Sequence, residues 1–115
     1  MEIRIIKDLI EKAELQRIAD EWKSEFVKGV VDIAQGIMAI GAEFHADEEE
    51  ILIAEGSKRE DCWGINLFPQ KAKEDWIAFD SLINIKPVQN NRSLHVEDRA
   101  TRERINMIVY KLIKD

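Results

Sequence analysis

Two β-branched and apolar runs meet at a glycine turn early in the chain, and this pairing limits the possible folds more than any other feature. Val27 to Ile33 is rich in Val and Ile, and Ile37 to Glu43 is apolar at nearly every position. Between them stands Ala34-Gln35-Gly36, whose glycine is free to take positive φ. Runs of this kind read as strands, and so short a connection makes them a β-hairpin. A strand with apolar residues on both sides of its pleat is one covered on both faces. The rest of the chain must therefore be arranged around an antiparallel sheet.

The remaining elements follow from periodicity. Ile3, Ile5 and Ile6 suggest a short first strand. Leu15, Ile18, Ala19, Trp22 and Phe26 recur at helical spacing, which predicts an amphipathic helix over Glu11 to Glu25. Asp47 followed by Glu50 has the form of a capping box, and Gly56 that of a left-handed helix terminator. Cys62 to Phe68 and Trp76 to Lys86 read as strands joined by the loop Pro69 to Asp75. If that hairpin folds about the middle of its loop, Asn66 lies opposite Ala78 and Gly64 opposite Asp80. Asp98 is placed to cap a last helix with a core stripe of Ile105, Ile108, Val109 and Leu112. The order β-α-β-β-α-β-β-α predicts one α+β domain over residues 1–115. Its sheet is mostly antiparallel, of four to five strands, with helices packed on one face. The other face is only partly apolar, so it meets solvent or a second subunit; a homodimer is expected.

Composition narrows the function. The 115 residues are 45% apolar and 35% charged, with a formal net charge of −6. A general nucleic-acid binder is normally basic, because phosphate neutralisation supplies most of its affinity. The balance is uneven: residues 1–61 carry 16 acidic and 8 basic side chains, and residues 62–115 carry 7 and 9. Lys86, Arg92, Arg99, Arg102 and Arg104 in the second half could therefore still meet an anion, and a nucleic-acid partner held by Arg92, Arg99 and Arg102 is a third reading, against which the acidic whole argues. Cys62 is the only cysteine, which excludes an intramolecular disulfide and a cysteine-based zinc site. Its apolar surroundings suggest a buried, inert thiol. Met1 to Lys7 lacks the apolar core of a signal peptide, and no run approaches a membrane span. A soluble, cytoplasmic protein is expected.

Hydrogen-bonding side chains concentrate in Pro87 to Asp98, between the most strand-like run and the last helix. Loops held by a rigid scaffold commonly carry function. Arg92 offers a planar fork for carboxylate or phosphate, with Ser93 beside it; alternatively, Arg92 pairs with an acid and pins the loop. Asn90-Asn91 favours a tight turn. On the preceding strand, Asp80 and Asn84 share a side by the period of two, and Asn66 approaches from across the hairpin. A polar pocket of Asn66, Asp80, Asn84, Asn91, Arg92 and Ser93 is the leading candidate, suited to a small anionic ligand or a protein partner. An ordinary solvated sheet face, or contacts within a dimer, would use the same residues. The rival is a small hydrolase with Asp80 or His45 as general base. His45 lies among Glu43, Asp47 and Glu48, but no metal-ligand spacing is present, and a histidine at a helix start explains it as well. No cofactor or metal is implied. Trp63, alternating with Ile65 and Leu67, reads as core, while Trp76 could belong to a subunit interface.

Three stretches carry a resemblance: Gly-Ile-Met-Ala-Ile-Gly-Ala-Glu-Phe-His-Ala-Asp-Glu-Glu from Gly36, Gly-Ser-Lys-Arg-Glu-Asp-Cys-Trp-Gly-Ile-Asn-Leu-Phe-Pro from Gly56, and Phe-Asp-Ser-Leu-Ile-Asn-Ile-Lys-Pro-Val-Gln-Asn-Asn-Arg-Ser from Phe79. Together they resemble a small family of uncharacterised bacterial and archaeal single-domain proteins, a domain of unknown function. The resemblance spans nearly the whole chain and implies a stand-alone domain. It brings no activity, ligand or catalytic residue.

Overall fold

The computed structural model describes residues 2–115. A five-stranded sheet forms its centre, antiparallel throughout, with strands β1 (Arg4–Ile6), β4 (Ile37–Ile40), β3 (Val27–Asp32), β5 (Cys62–Leu67) and β6 (Ile77–Ala78) in that spatial order. Three helices accompany it: α1 (Lys12–Glu21), α2 (His45–Ala54) and α3 (Arg99–Leu112). A separate parallel pair, β2 (Ile10–Glu11) with β7 (Ile113–Lys114), ties the segment before α1 to the end of α3. The α+β class and the antiparallel sheet are those the sequence predicts.

The helices, however, divide between the two faces of the sheet. Val27, Val31, Met38, Ile40, Ile65 and Leu67 form one core with Leu15 and Ile18 of α1 and Ile105 and Val109 of α3. The alternate residues Val30, Ile37, Ala39 and Cys62 form a second core with Leu52 of α2, flanked by Ile5 and Ile83. The expectation of helices on one face is corrected accordingly. A hairpin apolar on both sides must be covered on both sides, and a buried Leu such as Leu52 contributes about 2 kcal/mol relative to exposure.

Helix ends follow local chemistry. Asp98 caps α3 as expected, accepting from Thr101 N at 2.9 Å. α2 ends at Gly56 (φ 109°), with Gly56 N donating to Ile53 O and Ser57 N to Leu52 O, the Schellman pattern. α1 ends in the same pattern four residues earlier than predicted. Lys23 N donates to Asp20 O, Ser24 N to Ala19 O, and Lys23 itself takes the left-handed conformation (φ 52°). The Asp47 cap is not used: α2 starts two residues before it, at His45.

The predicted strand Trp76 to Lys86 is mostly not a strand. Its first residues pair as expected, Asn66 opposite Ala78 and Leu67 opposite Ile77. Beyond Ala78 the chain leaves β5 and pairs instead with the polar stretch, Ser81 N donating to Leu94 O and Val96 N to Phe79 O. Ser81 Oγ then accepts from Ile83 N, and Leu82–Asn84 close into a 3-10 turn. Trp63 is core, as expected; Trp76 is buried too, its Nε1 donating to Lys71 O at 2.9 Å, so it lies in the core of this chain. Cys62 is buried, and burial pushes its thiol up to about 12.

Candidate functional site

The departure of residues 79–84 from the sheet separates the predicted site residues. Asp80 is exposed and Asn84 fully buried, so they do not share a strand face. Asn84 takes the place of a backbone partner for β5: its Oδ1 accepts from Gly64 N (2.8 Å), and its Nδ2 donates to Gly64 O (3.0 Å) and Leu94 O (3.1 Å). Asn91 is likewise buried, donating to Asn84 O and His95 O and accepting from Glu97 N. Both amides join one loop to another.

Arg92 and Ser93 belong to a different arrangement. The backbone N–H groups of both, and the Ser93 hydroxyl, all donate to Glu97 Oε2 at 2.8 Å. These bonds hold the Glu97 carboxyl below its usual range, the Ser93 hydroxyl contributing most. These three donors are thus occupied by a carboxylate of the same loop. Arg102 donates to Val96 O and Glu97 O, and Arg99 pairs with Glu103.

Asn66 and Asp80 do come together, in a cleft of about 350 Å³ that also receives His45, Lys28 and Ser81. Phe26 and Phe44 line it on one side, Leu82 and Ile83 on the other. Each polar group is positioned by a different element. Lys28 and Asn66 stand opposite one another on β3 and β5, and both lie on the sheet face that α2 covers. His45 opens α2, and Asp80 is set by its bridge to His95.

His45 Nε2 lies 2.8 Å from Ile65 O, so the ring carries its proton there and Nδ1 is an acceptor. Burial lowers its proton affinity and the Lys28 charge lowers it further, against the Ile65 carbonyl, so the imidazole is neutral at pH 7. Lys28 Nζ donates to Glu43 O at 2.7 Å and sits 5.5 Å from the centre of the Phe44 ring. Asn66 Nδ2 donates to Asp80 O at 3.3 Å, while its buried Oδ1 has no hydrogen-bond partner among the described residues. The Asp80 carboxylate turns to His95 Nδ1 at 3.2 Å. Next to the cleft, Glu48 is fully buried and its Oε2 accepts from Ala42 N. Burial pushes its carboxyl up to about 9, so it too is neutral at pH 7.

With this geometry in view, comparison with known proteins places the chain. It belongs to the family described as a protein of unknown function, DUF5674. The family model matches residues 4–112, so it takes in every element of the sheet, all three helices and the whole cleft. No curated protein and no solved structure matches the chain. The resemblance to a domain of unknown function is thus confirmed.

Lys28, Phe26 and Phe44 escaped the sequence reading. The alternation of β3 places Lys28 on the side of Val30 and Asp32, but nothing local shows that α2 then brings His45 and Phe44 over it. Among the described residues no group of three or more potential metal ligands converges, and no helix is long and apolar enough to cross a membrane.

Proposed function

We propose that the protein is a binding module for a small organic molecule with one anionic group and an apolar body, held in the His45 cleft. The convergence of Lys28, His45, Asn66 and Asp80 from four separate elements on one cleft carries this reading. Its volume falls in the range of small-molecule sites, about 300–1,000 Å³. Among the described residues Lys28 is the only cation lining it, and it takes the anionic group. The neutral His45 offers an acceptor at Nδ1, and the phenyl rings of Phe26 and Phe44 pack the apolar body. The pairing of Asp80 with His95 moderates its repulsion of an anion. The test is an NMR titration with simple aromatic carboxylates and phosphates. Saturable shifts are expected at Lys28, His45 and Asn66, and Lys28→Met should weaken binding at least tenfold without loss of fold. Shifts confined to other parts of the molecule would sink the reading.

A hydrolytic role is the second reading, favoured by the neutral imidazole of His45 with Nδ1 open to accept a proton. It requires turnover of a simple ester that is lost in His45→Ala. The nucleic-acid reading on Arg92, Arg99 and Arg102 is the less favoured one, because the guanidinium groups of Arg99 and Arg102 are engaged within the chain. The same reading of the protein includes a cytoplasmic homodimer. Fully exposed Val88 and largely exposed Leu82, on the arm beyond β6, are the apolar residues a second copy would cover.

A further inference from the structure

A second groove, of about 390 Å³, lies between α3 and the turn that joins β3 to β4, and shares no residue with the His45 cleft. Three cations line it: Lys7 from the segment after β1, and Arg104 and Lys111 from α3. No carboxylate among the described residues does. Among the described residues none of the three is paired with an acid, so their charges are not neutralised within the chain. In a chain with 23 acidic side chains against 17 basic ones, a groove lined by three cations and no carboxylate is suited to an anion from outside.

The geometry points to a binding site for a small polyanion, a di- or triphosphate or a multicarboxylate of similar spacing, held by Lys7, Arg104 and Lys111. Arg104 and Lys111 are seven residues apart, hence on one side of α3 and about 10 Å apart along its axis. Met107 lies between them and is exposed, an apolar surface for whatever carries the charges. Charges so spaced, on long side chains, suit several negative groups in a row better than a single one. Arg104 donates its Nε–H to Ile33 O at 3.2 Å, which orients the guanidinium beside the groove. The carbonyl end of α3 opposes an anion, but with about half an elementary charge against three full ones. The net charge of the whole molecule acts from farther away and is screened over about 8 Å at physiological salt. This site stands independently of the reading of the His45 cleft.

The test is a titration of the full chain with inorganic triphosphate, followed by amide NMR at constant ionic strength, with citrate and orthophosphate in parallel. Saturable shifts are expected at Gly36, Met107 and Lys111, with orthophosphate much the weakest. Saturation by citrate alone supports the site with multicarboxylates as its source of charge. Lys7→Gln/Lys111→Gln removes no internal hydrogen bond and should weaken binding at least tenfold. Arg104→Gln should weaken it as well, and His45→Ala should leave it unchanged. Non-saturating shifts with all three anions, equal affinity in the double variant, or shifts at Lys28 and His45 instead would overturn the inference.

Discussion

At the scale of single residues, Glu48 shows how an ordinary acidic position becomes an extraordinary one. In the sequence it is one of a cluster of acids near a helix start, where a solvated carboxylate is stabilised by the helix dipole. In the structure it occupies, with Glu49 and Leu52, the buried side of α2. Its desolvation outweighs the Ala42 N–H and the Lys28 charge, and the proton stays on. The consequence for stability has a definite sign. Below about pH 4.5 both folded and unfolded chains hold this proton; from there to about pH 9 only the folded chain does. Stability from this group therefore falls as pH rises through that window, by at most about 1.4 kcal/mol per pH unit. Glu48→Gln should remove that fall. Urea midpoints at pH 5 and pH 8 are expected to lie closer together in the variant; an unchanged difference would show that Glu48 is ionised in the fold.

At the scale of elements, the arm that leaves the sheet after Ala78 decides the site. The spacing around Pro69–Asp75 was enough to place Asn66 opposite Ala78, because a hairpin counts residues symmetrically about its loop. It was not enough to show that the strand stops. The alternation of Ile77, Phe79, Ile83 and Ile85 is equally compatible with a short strand followed by a turn, and Ser81 and Asn84 choose the turn. Gly64 makes this possible: a Cβ there would lie 2.5 Å from Ser81 Cβ and 2.6 Å from its Oγ, so the arm could not approach β5. Gly64→Ala should destabilise the fold by about 2–3 kcal/mol. Ser81→Gly in the same chain should recover part of it, despite losing the hydroxyl that accepts from Ile83 N. A double-mutant cycle from urea denaturation measures the coupling, and purely additive effects would show that the contact is not what makes glycine necessary. The end of α1 has a similar lesson. Its Schellman turn is built on Lys23 where the sequence has no glycine to announce it, so the apolar spacing through Trp22 and Phe26 overran the helix.

At the scale of the whole molecule, the proposed homodimer predicts a sedimentation coefficient that rises with protein concentration. Val88→Asp should hold the chain as a monomer without altering its unfolding midpoint under dilute conditions; a wild-type chain that stays monomeric at high concentration would remove the dimer from the proposal. Features written within a few residues of one another were legible in the amino-acid order: the β3–β4 hairpin and its turn, the apolar stripes of α1 and α3, the Asp98 cap, the glycine end of α2, the inert cysteine. Periodicity and capping act over a turn of helix or a pair of strands, so neighbours suffice to state them. Only in the folded chain does α2 cover the second sheet face, Glu97 occupy the backbone donors of Arg92 and Ser93, and His45 meet Asn66 and Asp80 over Lys28. The hairpin's apolar positions required a layer on each face, but the buried side of α2 carries Glu48 and Glu49 beside Leu52, a pattern that hydropathy reads as solvent-facing. The contacts that close the structure, His45 to Ile65 and Asn84 to Gly64, join residues 20 positions apart. Their energy comes from excluding water around groups that meet only once the chain has folded, and no local pattern records such a meeting.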